Sequence, residues 1–240
     1  MSGQLTWLGH STVLIELDGA RVLTDPLLRS RVLHIRRRFP PPSDPGPLDA
    51  LLVSHVHWDH LDLPSLARFD PATPIFVPRG AGGVLRRFGR VVELDAGERA
   101  EIGGVEVHAT PALHAVGPWR LGARSSAAVG FLVSGSRSVY FAGDTDVFDA
   151  MRELGSPNVA LLPVGGWGSR LPHGHMDPQR AAEALRLVRP RIAVPIHWGT
   201  YASVLARPSE TGGEEFRRYA RDVAPEVDVR VLPVGGRTDF

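Results

Sequence analysis

The chain has 240 residues, a formal net charge of +1 and no cysteine. This length is sufficient to bury a large core, and we expect one domain that spans residues 1–240. Without cysteine there are no disulfides, no thiolate ligands and no thiol nucleophile, so any metal ligands must be nitrogen or oxygen atoms. Because acidic and basic residues are interspersed and nearly balanced, the overall charge argues against nucleic acid as a partner.

The amino-terminal residues lead directly into a strand-like segment. They show no basic-then-apolar leader, and no apolar run in the sequence is long enough to span a bilayer. We therefore expect no transmembrane segment and a cytoplasmic location. The sequence does not indicate an oligomeric state.

The predicted strands fall in two series, with helical segments between or after them. The first series is Leu5 to Leu8, Thr12 to Leu17, Arg21 to Thr24 and Ala50 to Val53. The second series is Val105 to Ala109, Ala127 to Val133, Ser138 to Ala142, Val159 to Pro163, Ile192 to Ile196 and Val227 to Leu232. Helices are expected at Leu63 to Arg68, Gly82 to Phe88, Val147 to Leu154, Asp177 to Val188 and Gly213 to Val223. Two packed sheets with helices outside both satisfy this order.

Two segments show no regular pattern. Arg29 to Pro47 combines five arginines with a run of three prolines, and we predict a long, proline-stiffened loop at the border of an active site. Its run Arg36 to Arg38 could hold a phosphate group, or it could belong to a solvated loop that aids solubility. Ala115 to Ser126 is the second such segment and begins beside His114.

The most informative motif directly follows the apolar strand Ala50 to Val53. It reads Ser54-His55-Val56-His57-Trp58-Asp59-His60. Histidines two residues apart at a strand end can face a single ion, while Asp59 and His60, further round the turn, can reach a second ion. The motif therefore predicts a two-metal hydrolase. The alternative, a solvated polar turn, explains the spacing less well.

Three further polar residues stand where predicted strands end. They are His114, Asp144 and His197. Taken alone, each could be an ordinary hydrogen-bonded residue or a turn residue. Because residues at the ends of neighbouring strands converge on one edge of an α/β fold, the set is better interpreted as metal ligands that meet in space.

Six segments, in this order along the chain, resemble the metallo-β-lactamase superfamily. They are Thr6 to Thr12, Thr24 to Pro26, His55 to His60, His114, Gly143 to Thr145 and Pro195 to Gly199. The Gly9-His10-Ser11 start, the arginine and proline loop, and His173 to Pro178 look most like the branch that contains N-acyl-phosphatidylethanolamine phospholipase D and ascorbate-6-phosphate lactonase. The resemblance implies an α/β fold, a four-layer αββα sandwich, with two metals at one edge. It also implies hydrolysis of an ester, phosphodiester or lactone.

The resemblance also implies a ligand set. One metal would be held by His55, His57 and His114, the other by Asp59, His60 and His197, with Asp144 as a bridge between them. Zinc is the expected ion, with manganese or iron as alternatives that accept the same donors. Two divalent ions, two carboxylates and a bridging hydroxide leave a net charge of about +1, which favours an anionic small-molecule substrate.

The mechanism that we infer from these ligands is attack by the metal-bridging hydroxide on a phosphorus or a carbonyl carbon. Asp59 would orient the hydroxide. His175 would stabilise the developing charge or protonate the leaving group; the alternative for His175 is a structural residue just before the Asp177 helix cap.

Four more residues are assigned to the surroundings of the metals. Asp25 is expected to accept a hydrogen bond from a metal-bound imidazole. His10 could orient a ligand, line the pocket or be an ordinary turn residue. Trp119 and Trp167 are candidates for an apolar rim that recognises a substrate tail. No residue is assigned to an organic cofactor.

Three functions follow from this interpretation. The first is hydrolysis of a phosphodiester or a phosphorylated small molecule. The second is hydrolysis of a lactone or carboxylic ester by the same metals, and the sequence does not separate it from the first. The third, nucleic-acid processing, is disfavoured by the near-neutral charge.

Overall fold

The computed structural model describes residues 3–116, 127–165, 171–203 and 210–240. Within these ranges the chain forms seventeen strands. In chain order they are β1 (Gln4–Gly9), β2 (Thr12–Leu17), β3 (Ala20–Thr24), β4 (Arg31–Val32), β5 (Ile35–Arg37), β6 (Ala50–Leu52), β7 (Ile75–Pro78), β8 (Val91–Leu94), β9 (Arg99–Ile102), β10 (Val105–Pro111), β11 (Val129–Ser134), β12 (Ser138–Phe141), β13 (Val159–Pro163), β14 (Ile192–Ile196), β15 (Tyr201–Ser203), β16 (Asp228–Val229) and β17 (Arg237–Asp239).

The helices of the described residues are short and few. They are α1 (Leu63–Leu66), α2 (Pro178–Val188) and α3 (Gly212–Val223), with 3-10 helices at Gly82–Leu85 and Asp149–Leu154. Helix α2 begins as expected, since the Asp177 carboxylate accepts a hydrogen bond from Arg180 N and proline occupies the first turn. Within the described ranges, no helix combines the length and the apolar character needed to cross a bilayer.

Two mixed sheets of seven strands form the centre of the fold. The first has the order β17-β1-β2-β3-β6-β7-β8 and the second the order β16-β14-β13-β12-β11-β10-β9. Their facing sides share one core, to which β1, β2 and β6 contribute from the first sheet and β10, β11 and β13 from the second. Central strands such as β13 are buried along their whole length, which explains why they appear in the sequence as continuous apolar runs.

Helices cover the outer faces of both sheets. On the second sheet, α2 and α3 pack against Tyr140, Ala160 and Leu162. On the first sheet, Leu66 of α1 and Leu85 of the adjacent 3-10 helix pack against strands β6 and β7. The layers therefore follow the order helix, sheet, sheet, helix, and the α/β four-layer αββα sandwich predicted from the sequence is confirmed.

The segment Arg29 to Pro47 departs from the prediction of an irregular loop. Strands β4 and β5 form a hairpin there, and β15 pairs with β5 to complete a small three-stranded sheet. The strands are only two and three residues long, and their partner lies far along the chain, so no local period indicates them. The three prolines follow this hairpin and do not interrupt it.

Arg37 of this hairpin is buried, with 8% of its surface exposed. Its guanidinium donates hydrogen bonds to the backbone carbonyls of Leu8, Leu27 and Pro40 and to the Tyr201 hydroxyl. These contacts tie the small sheet to β1, and they occupy the donors that a phosphate would need. Arg37 is therefore a structural residue and not the phosphate anchor that the arginine run suggested.

Candidate metal centre

One edge of the sandwich collects the side chains that the motifs singled out. The segment His55–His60 follows β6, and His114, Asp144 and His197 follow β10, β12 and β14. The strands run so that these ends meet, which is why residues up to 142 positions apart in the sequence lie within one cluster. Most of the cluster is buried.

The first group of donor atoms comes from three histidines. His55 Nε2 lies 2.9 Å from His57 Nδ1, and His114 Nε2 lies 3.1 Å from the same atom. All three donor atoms lie within 4.8 Å of one another. Three imidazole nitrogens at this spacing could hold one divalent cation.

The second group lies beside the first and contains one carboxylate. His60 Nε2 and His197 Nε2 are 3.2 Å apart, and Asp59 Oδ2 is 3.8 Å from the former and 3.9 Å from the latter. These donors come from both sheets, since His60 follows β6 and His197 follows β14. They could hold a second cation.

Asp144 stands between the two groups. Its Oδ2 atom lies 3.9 Å from His55 Nε2 and 3.2 Å from His60 Nε2, while its Oδ1 atom lies 3.4 Å from His197 Nε2. Oδ1 is buried and has no hydrogen-bond partner among the described residues. A buried carboxylate oxygen without a donor is costly unless a cation neutralises it, and the position suits a bridging ligand.

The orientation of two rings gives an independent test of whether cations fit. His60 Nδ1 contacts Asp25 Oδ2 at 2.6 Å, and His197 Nδ1 contacts the Gly165 carbonyl at 2.7 Å. Since these oxygens accept hydrogen bonds, each Nδ1 carries the proton and each Nε2 is a bare lone pair when its ring is neutral. Two lone pairs 3.2 Å apart repel each other unless a cation or a proton lies between them. The donor set therefore fits a metal centre.

The pKa values agree with this chemistry. Burial lowers the pKa of His57 to about 4 and that of His197 to about 3, and it lowers the pKa of His55 and His114 as well. These rings are thus neutral at physiological pH, as metal ligands must be. At His60 burial also opposes the charged form, but Asp144, Asp59 and Asp25 outweigh it and raise the pKa in the absence of metal.

Asp25 reaches both donor groups from behind. Its Oδ2 atom accepts from His60 Nδ1 and, at 2.7 Å, from the Ser54 hydroxyl. The Ser54 oxygen in turn lies 3.0 Å from His55 Nδ1 and accepts from it. The contact with His60 is the one expected of an orienting carboxylate, whereas the relay through Ser54 was not anticipated. The sequence feature that indicates this relay is Ser54, a hydroxyl residue directly before His55.

A short segment before helix α2 closes one side of the site. The Gly174 carbonyl accepts from His114 Nδ1 at 2.9 Å. His175 Nδ1 donates to the Pro172 carbonyl at 3.1 Å, and His175 Nε2 lies 3.2 Å from Asp144 Oδ2. The structure therefore brings His175 to the candidate ligand cluster, and it adds Gly174, for which the sequence indicated no role.

A cavity of about 380 Å³ opens onto the centre. Its described lining consists of His57, Trp58, Asp59, His114, Ala115, Asp144, Leu171, Pro172, His173 and His175. Neither lysine nor arginine is present in this lining. The two tryptophans assigned to an apolar rim, Trp119 and Trp167, lie outside the described residues.

His10 lies behind the second group and not in the cavity lining. Its Nε2 atom is 3.2 Å from Asp59 Oδ2, and its ring lies 4.1 Å from that of His197. His10, Asp25 and His197 all have positive φ, at 54°, 32° and 61°. Such strained backbone is held in place only where surrounding contacts enforce it, and it clusters at functional sites.

Comparison with known proteins agrees with the site. A family model described as "Beta-lactamase superfamily domain" matches residues 20–198. A UPF0173 metal-dependent hydrolase of Methanopyrus kandleri is 35% identical over 245 residues, which cover 97% of this chain and 97% of the relative. An N-acyl-phosphatidylethanolamine-hydrolyzing phospholipase D of Caenorhabditis elegans is 33% identical over 226 residues, which cover 82% of this chain and 64% of that protein.

Among solved structures, a metallo hydrolase of Ignicoccus hospitalis matches with a TM-score of 0.76 and 26% identity, covering 100% of this chain and 99% of that one. The match extends over both sheets and over all the strands that carry the clustered side chains. The chain therefore belongs to the beta-lactamase superfamily and is one of its metal-dependent hydrolases.

Proposed function

We propose that this protein is a dinuclear hydrolase of phosphodiesters or phosphorylated small molecules. The observation that carries the proposal is the arrangement of seven donor side chains in two groups that share the Asp144 carboxylate. Two cations held side by side can stabilise both the attacking and the leaving oxygen at a phosphorus atom. Five imidazoles and two carboxylates suit zinc, and they also suit manganese or iron.

Two further points support a phosphorylated substrate. Two divalent cations against two carboxylates leave a positively charged centre, which attracts an anion into the cavity. The relative from Caenorhabditis elegans is named for hydrolysis of a phospholipid, and it is 33% identical to this chain. Among the described lining residues, the groups that can contact a phosphate are the cavity histidines beside the candidate metal centre.

When bound, the cations supply an activated water and a positive charge beside the attacked group. The protein supplies orientation. Asp59 is buried and has one carboxylate oxygen directed at the second donor group, so it can fix the position of the attacking water. Trp58, Leu171 and Pro172 give the cavity an apolar side that can hold an uncharged part of the substrate and exclude bulk water.

In this proposal, His175 acts on the leaving group. It lines the cavity beside Asp144, and its Nδ1 atom is fixed by the Pro172 carbonyl, which leaves Nε2 directed at the centre. A histidine in this position can donate a proton to a departing alkoxide or stabilise charge on it. Both roles were anticipated for this residue.

The first test compares the wild-type chain with Asp59→Asn on a chromogenic phosphodiester, with metal content measured on the same samples. We expect near two metals per wild-type chain and loss of turnover in the variant by about 10²-fold or more. Asp149→Asn is the matched control, because this carboxylate lies 95% exposed on the surface and should not affect turnover. Metal-loaded wild type without phosphodiester turnover contradicts the proposal.

A second function, hydrolysis of a lactone or carboxylic ester, is favoured by one observation. Part of the described cavity lining is apolar, through Trp58, Ala115, Leu171 and Pro172, and an apolar surface suits the uncharged body of a lactone or ester. The same metal centre can activate water for attack on a carbonyl carbon. A simple chromogenic lactone, assayed beside the phosphodiester, separates the two: turnover of the lactone alone replaces the first proposal with the second.

A further inference from the structure

His10 makes a side-chain contact that goes beyond the role of a turn residue. The side chain is 2% exposed, and Nε2 is 3.2 Å from Asp59 Oδ2. With its proton on Nε2, His10 donates to the carboxylate, because an ionised carboxylate only accepts hydrogen bonds. In this tautomer Nε2 has no lone pair for a metal and His10 orients Asp59. With the proton on Nδ1, His10 would instead be a ligand beside Asp59, His60 and His197, whose donor atoms lie within 4.8 Å of one another and of His10.

The backbone of His10 contacts a second candidate metal ligand, His197. The His10 carbonyl accepts a hydrogen bond from His197 N at 2.9 Å and another from Trp7 Nε1 at 2.8 Å. The His10 amide donates to Thr200 Oγ1 at 2.7 Å. Through these contacts, the turn of the first sheet is fastened to the end of β14 in the second sheet, where His197 stands.

The conformation of this turn requires such support. His10 has a φ of 54° and Gly9 a φ of 109°, and the pairing of β1 with β2 shifts register between Trp7 and Gly9. An extra residue in a strand pair redirects the following side chain and is frequent beside active sites. A Cβ atom at Gly9 would lie 2.7 Å from Thr200 Cγ2, so the turn packs closely against the Thr200 side chain.

We propose that His10 is a positioning residue for the second donor group, holding Asp59 with its side chain and His197 with its backbone. His10 Nε2 and the His10 carbonyl both contact members of this group, and no described contact joins His10 to the group of His55, His57 and His114. The inference rests on the two-cation centre of the proposed function. It adds that the two cation sites are positioned by different parts of the chain.

The test compares His10→Asn with His10→Gln. Asparagine tolerates a left-handed backbone, but its side chain is too short to replace the Nε2 contact with Asp59. Glutamine places an amide nitrogen near the position of the imidazole Nε2 and keeps the donor. Metal affinity is measured by competition with graded chelator, and the cobalt-substituted proteins are compared by visible absorption, so neither measurement depends on a substrate.

We expect the second metal to bind about 10-fold to 100-fold more weakly in His10→Asn, while the first metal keeps its affinity and its cobalt spectrum. His10→Gln should recover most of the loss. Unchanged binding of both metals in His10→Asn overturns the inference, as does an equal loss at both sites. A loss in His10→Gln as large as in His10→Asn also overturns it, because the imidazole itself would then be the ligand.

Thr200→Val provides a second variant in case His10→Asn does not fold. It removes the oxygen that accepts from His10 N and that also donates to the Trp198 carbonyl at 3.2 Å, and we expect a smaller but still selective weakening of the second metal. Equal binding by Thr200→Val and wild type contradicts the backbone part of the inference. Failure of the proposed function is recognised separately, since a wild-type chain with fewer than two metals shows it before any variant is compared.

Discussion

Asp25 and His60 form a fully buried pair in which His60 Nδ1 lies 2.6 Å from Asp25 Oδ2. The same carboxylate accepts from the backbone amide and the hydroxyl of Ser54, both at 2.7 Å. Because the Ser54 oxygen accepts from His55 Nδ1, one carboxylate orients a histidine in each donor group. A substitution at position 25 should therefore affect both cation sites, and a substitution at position 54 only one.

The first prediction concerns Asp25→Asn. The amide has one acceptor oxygen for three donors, of which one contacts Oδ1 and two contact Oδ2 in the carboxylate, so at least one of them must face the amide NH₂ group. We expect both metals to bind about 10-fold to 100-fold more weakly, as measured by metal content after dialysis against chelator. Ser54→Ala is the comparison and should weaken only the site that contains His55. Equal weakening of both sites in Ser54→Ala contradicts the relay.

The second prediction concerns His175→Gln. If His175 supplies a proton to the leaving group, the variant should lose kcat by about 10²-fold to 10⁴-fold while it retains its metals. The loss should be smallest for substrates whose leaving group needs no proton, such as a nitrophenolate. His108→Gln on β10, outside the cavity lining, is the control and should behave as wild type. Metal loss that parallels the loss of kcat would indicate a ligand instead.

The third prediction uses a pair of glycines with the same backbone conformation. Gly174 and Gly235 both have a φ of 82°, so alanine carries a similar conformational cost at either position. At Gly174 the new Cβ would lie 2.9 Å from His114 Cα, whereas nothing lies within 4 Å at Gly235. We expect Gly174→Ala to weaken the first cation site in a chelator titration and Gly235→Ala to leave it unchanged.

The fourth prediction is a loss of stability of the metal-free protein on acidification. Burial lowers the pKa of His57 to about 4 and of His197 to about 3, while the unfolded chain titrates near a pKa of about 6.5. Between about pH 6.5 and 4 the unfolded state thus binds more protons, and the free energy of unfolding falls as the pH falls. His55 and His114, whose pKa values are also lowered, act in the same direction.

Other groups do not reverse this sign. The pKa values of His60 and His175 are raised, so both residues oppose the trend near pH 6.5, where their unfolded forms are still taking up protons, and they contribute no slope once the pH is about one unit lower. Burial also raises the pKa of Asp25, which opposes the trend. This single carboxyl is outweighed by the four histidines whose pKa values are lowered. Urea midpoints of the chelated protein at several pH values between 6.5 and 4.5 test this, and a midpoint that rises on acidification would contradict it.

The sequence by itself determined the layers of this fold and the local part of the candidate ligand cluster. Long apolar runs such as β13 and β14 can be buried only inside a sheet that is covered on both faces. The spacing of His55, His57 and His60 at a strand end is local, so the chain brings these residues together whatever the rest of the molecule does. Local patterns of this kind are recorded directly in the sequence.

Only the tertiary structure decided the contacts between distant segments. The hairpin of β4 and β5 depends on pairing with β15, more than 160 residues away, and burial of Arg37 follows from it. The same holds for the contacts of His10 with Asp59, of Ser54 with Asp25 and of the Gly174 carbonyl with His114, which join residues far apart in the sequence with no local pattern to indicate them. Such contacts are set by the packing of the two sheets against each other, because the free energy of burying both faces fixes where each turn must lie.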